Sequence, residues 1–148
     1  MLIGLADLLH ELFKEPKRQK RQHYSHIDPK ISDLVKAFNQ IEGITTIASC
    51  QGHIAGHIEA PYIYFKASNH VASQIVQALR KTRNFHTRWE ITGAFDQNND
   101  LTFRLSSLKL DTRIYQRGWW DLGWNRSKVD CDFILLRHMM KETFLDTH

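Results

Sequence analysis

ITTIASC-QGHIAGHIEA-PYIYFKA, residues 44–67, is the stretch that decides the fold of this 148-residue chain. Its two ends are short and rich in β-branched and aromatic residues, which is typical of β-strands. The segment between them is polar, contains glycine and is about ten residues long, which exceeds the usual hairpin connection. The sequence therefore predicts two strands joined by a candidate functional loop.

Helices are predicted on both sides of this strand pair. The helix before it has Asp28 as its cap, Pro29 in its first turn and Gly43 after its end. Asn69 is the predicted cap of the helix after it. Apolar residues at helical spacing mark the two buried faces: Ile31, Leu34, Val35 and Phe38 in the first helix, and Val71, Ile75, Val76 and Leu79 in the second.

The half of the chain from Asn69 to Leu105 repeats the plan of a helix followed by a strand pair. Residues 88–95 and 101–105 read as strands joined across the turn-forming residues 96–100. A last helix is predicted from near Lys128 to Phe144, with Val129, Phe133, Leu136, Met140 and Phe144 facing inward. The expected fold class is α+β, with an antiparallel or mixed sheet of about four strands covered by helices.

An amphipathic helix and a basic arm precede this domain. Leu5, Leu8, Leu9, Leu12 and Phe13 form one helical stripe that Pro16 ends, and residues 14–21 (KEPKRQKR) carry five bases and one acid. We predict an N-terminal unit, residues 1–27, and one α+β domain, residues 28–148. The helix could dock on a protein partner or on another subunit. The arm is either a solvated linker or a phosphate-binding element, with these candidate nucleic-acid residues: Lys17, Arg18, Lys20 and Arg21.

Composition limits the class of protein. The chain is 42% hydrophobic and 24% charged, with seven Gly and three Pro, which is typical of one compact domain and not of a disordered chain. No apolar run approaches the roughly 20 residues of a membrane span, and the N-terminus does not resemble a signal peptide. Because Cys50 and Cys131 are far apart, we expect free thiols and a cytoplasmic location without membrane association.

The loop that follows the first strand carries the candidate chemistry. Cys50, His53 and His57 have the spacing C-x2-H-x3-H and could be three zinc ligands, with water or a distant residue such as His86 or Cys131 at the fourth position. Alternatively, Cys50 is a nucleophile activated by His53, or the Gln51 side chain and backbone amides near Gly52 bind a nucleotide. A buried, inert Cys and solvent-exposed His residues are the structural alternatives.

The same stretch resembles a known family. The residues concerned are Thr45-Thr46, which lead into Ser49-Cys50-Gln51-Gly52-His53, and the strand at residues 61–65. Together they are similar to the Ser-Cys-x-Gly segment of the tRNA wybutosine-synthesising methyltransferases. The resemblance covers residues 44–67, and it departs from the family where Gln51 and Gly52-His53 replace a Ser followed by Gly-Arg. It implies an α+β enzyme that uses S-adenosylmethionine to methylate tRNA, with Ser49, Cys50 and Gly52 in the active-site loop.

A tryptophan-rich segment, residues 113–126, is a second candidate site. Three Trp fall within six residues, and Trp119 and Trp120 lie among arginines that could stack on bases. Packing in the core or at a subunit interface is the competing interpretation. Nearby, we predict that Asp130, Asp132 and His138 are solvated.

Together these features predict an RNA- or nucleotide-directed protein with its site at residues 50–57. It could be a tRNA-modifying enzyme in which Cys50 and His53 are catalytic, while Ser49, Gln51, Gly52 and His57 bind substrate or cofactor. The alternatives are a non-enzymatic regulatory or mobile-element protein that binds a partner and, third, a zinc protein. No Walker loop, GxGxxG after a strand, GxSxG or HExxH is present in the sequence.

Overall fold

The computed structural model describes residues 27–53, 59–110 and 125–146. The predicted N-terminal helix, the basic arm, His57 and most of the tryptophan-rich segment lie outside these ranges, and the boundary at residue 27 stays a prediction. In chain order the elements are α1 (Ser32–Asn39), β1 (Thr45–Cys50), β2 (Tyr62–Lys66), α2 (Asn69–Lys81), β3 (Glu90–Phe95), β4 (Leu101–Ser106), a 3₁₀ turn (Leu108–Leu110) and α3 (Arg126–Phe144).

The four strands form one antiparallel sheet in the order β1-β2-β4-β3. This arrangement confirms the α+β class and decides in favour of an antiparallel sheet. The pairing of β1 with β2 shifts between Thr46 and Ala48, so Ile47 is an extra residue in β1, a β-bulge. The strands β2 and β4 are therefore central, and β1 and β3 are the edges.

The three helices and one face of the sheet enclose a single core. Phe65 on β2 contacts Phe38 of α1 and Phe103 of β4, with ring centroids 5.3 and 5.8 Å apart. The fully buried side chains of the core come from every layer: Phe38, Phe65, Ile31, Leu34, Ile63, Ile75, Leu105, Leu110, Leu136, Met140 and Val35. None of the described helices is both long enough and apolar enough to cross a bilayer.

The opposite face of the sheet carries a different set of residues. Side chains alternate between the two faces of a strand, and directly paired residues share a face. Ile63 and Phe65 face the helices, so Tyr62 and Tyr64 face away from them. Cys50 pairs with Tyr62 and Arg104 pairs with Tyr64, so these two residues share the face of the tyrosines. We call this the open face of the sheet.

Two predicted helix caps are wrong. Asp28 does not cap α1, whose N-cap is Ile31 and has no side-chain hydrogen bond, because the Asp28 carboxylate accepts the backbone N–H of Gln51 instead. The second helix is capped by Ser68, whose hydroxyl accepts the Val71 N–H, and Asn69 is its first residue. In both cases a residue of a typical capping type stands near the start of the helix, but its type alone does not decide whether it caps the helix.

The last helix and the third strand also differ at their ends from the prediction. The helix α3 begins at Arg126, because Asn125 accepts the Lys128 N–H and caps it there. The strand β3 begins at Glu90, two residues later than predicted. Asp132, predicted to be solvated, is only 1% exposed and faces the core between α3 and the sheet.

Candidate functional site

The candidate site lies where β1 ends and the chain turns toward β2. Gly52 has a φ of +85°, a left-handed conformation that glycine adopts readily, and its N–H donates to the Cys50 sulfur over 3.3 Å. The next residue, His53, forms a two-bond backbone bridge with Glu59 (2.9 and 3.0 Å). The tight turn therefore brings residues 50 and 53 onto the same side of the loop.

The segment before α1 is attached to this turn by two hydrogen bonds. The Gln51 N–H donates to Asp28 Oδ2 over 3.0 Å, and the Lys30 N–H donates to Gln51 Oε1 over 3.2 Å. The side-chain oxygen of Gln51 thus holds the chain before α1 against the loop, and the predicted role of this side chain in nucleotide binding stays a prediction. The two segments are thereby fixed relative to one another.

Arg126 at the start of α3 holds the turn from the other side. Its Nη1 donates to the carbonyl oxygens of Gln51 and Gly52 at 2.7 and 3.1 Å. Its Nε donates to Asp130 over 2.8 Å, and the guanidinium lies over the Phe133 ring, 5.6 Å from the ring centroid. A half-buried arginine with this many partners makes the loop carbonyls part of the rigid framework.

Three potential ligand groups converge at the turn. One donor atom from each of Asp28, Cys50 and His53 lies within 4.8 Å of the other two. Cys50 is buried, whereas Asp28 and His53 are half-buried. The predicted proximity of Cys50 and His53 is thus present, and Asp28 is an unpredicted third member of the cluster, whereas the position of His57 lies outside the described residues.

The environment of the Cys50 thiol disfavours the thiolate. Burial is the largest cause that raises the pKa of Cys50 to about 11, the nearby carboxylates of Glu59 and Asp28 raise it further, and the Gly52 N–H opposes them. An imidazole-activated nucleophile needs a lowered thiol pKa. The environment of the Cys50 thiol therefore does not support the hypothesis that Cys50 is a nucleophile.

An aromatic and arginine cluster lies beside this site on the open face. The Arg104 guanidinium is 5.2 Å from the Tyr62 ring centroid and 5.6 Å from that of Tyr64, and the two rings meet edge to face at 5.4 Å. Cys50 pairs directly with Tyr62, so the cluster and the thiol are neighbours. Burial, followed by the charge of Glu59, raises the pKa of Tyr62 to about 12, and Tyr62 is a neutral phenol at physiological pH.

The remaining candidate residues are distributed differently. Ser49 pairs with Ile63, faces the helices, and its buried hydroxyl oxygen has no hydrogen-bond partner in the described part of the chain. Cys131 is a free, exposed cysteine on α3, and His86 contacts Asp132, so neither belongs to the cluster at residue 50. The predicted nucleic-acid residues Lys17, Arg18, Lys20, Arg21, Trp119 and Trp120 lie outside the described ranges.

Sequence reasoning missed Asp28, Arg126 and the tyrosine and arginine cluster. Asp28 has the residue type and position of a helix cap, and Arg126 stands at the end of the tryptophan-rich segment. Tyr62 and Tyr64 do carry a signal, because their spacing of two, out of phase with Ile63 and Phe65, indicates an aromatic pair on the second face of a strand.

Two cavities open between the helices, and the second is lined in part by Lys30 and Asp130, which contact Gln51 and Arg126 of the site. One of about 370 Å³ lies between α2 and α3, and one of about 240 Å³ lies between α1 and α3. Comparison with known proteins found no matching protein-family model, no matching curated protein and no matching solved structure.

Proposed function

We propose that this protein binds single-stranded RNA or nucleotides on the open face of its sheet, with bases stacked on Tyr62 and Tyr64. The observation that carries the proposal is the cluster of two tyrosines and Arg104 on the central strands β2 and β4. A four-stranded sheet with aromatic side chains on one face is an established platform for unstacked bases. The three helices of residues 27–53, 59–110 and 125–146 occupy the other face, so these helices do not compete with such a ligand.

The side chains around the cluster are compatible with a planar ligand. Ala48 pairs with Tyr64, and Thr92 pairs with Arg104, so small residues flank the tyrosine and arginine pair on both sides. Tyr62 and Tyr64 are half-buried, so neither residue is fully enclosed by the chain. Arg104 adds positive charge and a second planar group for stacking, which single-stranded nucleic acids use.

The position of the loop after β1, beside Tyr62, supports a role for the loop in acting on a bound base. Cys50 pairs with Tyr62, and a ring nitrogen of His53 lies within 4.8 Å of the Cys50 sulfur. A base on Tyr62 would be adjacent to both groups. The finer form of the proposal, which draws on the family resemblance, is a tRNA-modifying methyltransferase with S-adenosylmethionine as its cofactor.

The test is the binding of fluorescently labelled single-stranded RNA and tRNA to the full chain at low salt, followed by anisotropy. Stacking on an aromatic side chain contributes about 1–3 kcal/mol per base. We therefore expect Tyr64→Leu to weaken binding by about 5- to 150-fold, whereas Tyr64→Phe retains the ring and most of the affinity.

The matched control is Phe95→Leu, because Phe95 is an aromatic side chain that is 73% exposed but lies on the helix side of the sheet. This variant should bind like the wild type. Absence of RNA binding, or equal affinity of the Tyr64→Leu and wild-type chains, would refute the proposal. Calorimetric titration with S-adenosylmethionine tests the methyltransferase form separately, since a chain that binds RNA but not this cofactor retains only the broader proposal.

A further inference from the structure

We infer that Asp28, Cys50 and His53 form a binding site for one divalent transition-metal ion, with Zn²⁺ as the best match. The site differs from the zinc site expected from sequence, which combined Cys50, His53 and His57. It is independent of the proposed function, because the open face can bind bases whether or not a metal is present.

The distances allow an ion to be bound with small adjustments. The three donor atoms lie within 4.8 Å of one another. Donors placed tetrahedrally at about 2.0–2.3 Å from zinc are about 3.5 Å apart. An ion therefore requires the donors to approach one another by up to about 1.3 Å, a shift on the scale of side-chain rotation.

The backbone that carries the donors is already organised. Asp28 accepts the Gln51 N–H through Oδ2, and a carboxylate has a second oxygen available for a metal. The Gly52 N–H donates to the Cys50 sulfur, an interaction that stabilises a thiolate, and Arg126 holds the carbonyls of Gln51 and Gly52. Such support orients metal ligands and raises affinity.

The donor set indicates the kind of ion. A thiolate, an imidazole and a carboxylate are the ligands that zinc combines in proteins, whereas Mg²⁺ and Ca²⁺ prefer oxygen ligands alone. Three protein ligands leave the fourth tetrahedral position for water, which is the arrangement of catalytic rather than structural zinc sites. A metal bound here would also adjoin Tyr62, because Cys50 is its direct partner across the strands.

The experiment uses the full chain without an affinity tag. The metal content is measured after purification without chelators, and the metal-free chain is then titrated with Zn²⁺ and, as a spectroscopic probe, Co²⁺. We expect one Zn²⁺ per chain and a near-ultraviolet thiolate-to-cobalt absorption band. The band should be lost in Cys50→Ser, and affinity should fall at least tenfold in Asp28→Asn and in His53→Gln.

Matched controls separate a specific site from general thiol or imidazole binding. Cys131→Ser and His70→Gln change an exposed cysteine and an exposed histidine elsewhere, and both should bind like the wild type. In Asp28→Asn, the side-chain amide oxygen can still accept the Gln51 N–H, so we expect this variant to fold. Circular dichroism checks its folding. Chains that bind less than stoichiometric zinc, or that lose zinc in His57→Gln but not in Asp28→Asn, would overturn the inference.

Discussion

Asp132 shows how one side chain can connect distant parts of the chain. Its carboxylate accepts the backbone N–H groups of His86 (2.9 Å) and Thr87 (3.1 Å), and the indole N–H of Trp89 (2.9 Å). The Nδ1 atom of His86 lies 3.0 Å from Oδ1. This buried acid therefore attaches α3 to the segment that leads into β3, and it does so without exposure to solvent.

Replacement of Asp132 should be among the most destabilising single changes in the domain. The variant Asp132→Ala removes the acceptor of the buried Trp89 indole N–H and of two partly buried backbone N–H groups, and loss of one partner of such a network typically costs about 3–5 kcal/mol. We expect the free energy of unfolding, measured by urea denaturation, to fall by about that amount with an unchanged m-value.

Glu142 provides the control for this change, because it is an exposed acid on the same helix. Glu142→Gln should alter the free energy of unfolding by less than about 0.5 kcal/mol. If Asp132→Ala were as stable as Glu142→Gln, Asp132 would not have the connecting role described here.

At the scale of elements, the hairpin of β3 and β4 depends on a charged turn. Asp96 Oδ1 accepts the N–H groups of Asn98 (2.8 Å) and Asp100 (3.0 Å), and Asn99 has a φ of +60°. The Lys66 ammonium on β2 lies 3.4 Å from Asp96 and 3.1 Å from Asp100. The turn thus has a side-chain acceptor for its backbone and a cation from the neighbouring strand.

This turn should make stability sensitive to acid. The hydrogen bond from the Asp100 N–H is the largest cause that lowers the pKa of Asp96 below its ordinary value of 3.8, and Asn98 and Lys66 lower it further. A pKa that is lower in the folded chain gives stability that is present above the unfolded value and is lost as the pH falls through the folded one. From about pH 5 to about pH 3, the urea midpoint of Asp96→Asn should decrease less steeply than that of the wild type.

The comparison variant is Glu42→Gln, which removes an exposed carboxylate from the turn after α1. Its urea midpoint should follow the wild-type pH profile. Parallel profiles for Asp96→Asn and the wild type would contradict the assigned role of the Asp96 carboxylate.

The elements could be predicted from sequence because their signals are local. Apolar spacing identified all three described helices, and strand-forming runs identified all four strands. The details that position the site are not local. Asp28 has the residue type and position of a helix cap, and only the proximity of Gln51 in the folded chain gives it another partner. The pairing that brings Tyr64 beside Arg104 joins residues 40 positions apart, and no periodicity in either strand specifies it.

At the scale of the whole molecule, the two faces of the sheet differ in composition. One face and the three described helices supply the apolar core, while the other carries Tyr62, Tyr64 and Arg104, with the proposed metal ligands at its edge. The stability of the domain and its proposed binding activity therefore depend on largely separate residues. Substitutions on the open face can test function without removing core packing.

The basic arm is tested at this scale through the salt dependence of RNA binding. If the arm contacts phosphates, substituting Lys17, Arg18, Lys20 and Arg21 with Gln should reduce the slope of log affinity against log salt by about 0.7 per lost contact. Tyr64→Leu should weaken binding at every salt concentration without a comparable change in slope. Anisotropy titrations over a series of salt concentrations measure both effects.

The control for the arm removes the same number of charges from the helices. Lys36, Arg80, Lys81 and Lys128 are exposed bases on α1, α2 and α3. Their substitution with Gln should leave the slope near that of the wild type. If both four-residue variants reduced the slope equally, the arm would contribute only net charge.

The β-bulge at Ile47 determines which atoms the edge strand presents to each side. With uninterrupted alternation from Thr46, Cys50 would point toward the helices and Ser49 would stand beside Tyr62. The single additional residue reverses that order. An alignment of any distant homologue would therefore need to establish whether the bulge is present, because a protein with the same Ser-Cys pair and a strand of the same length but regular pairing would present a hydroxyl where this chain presents sulfur.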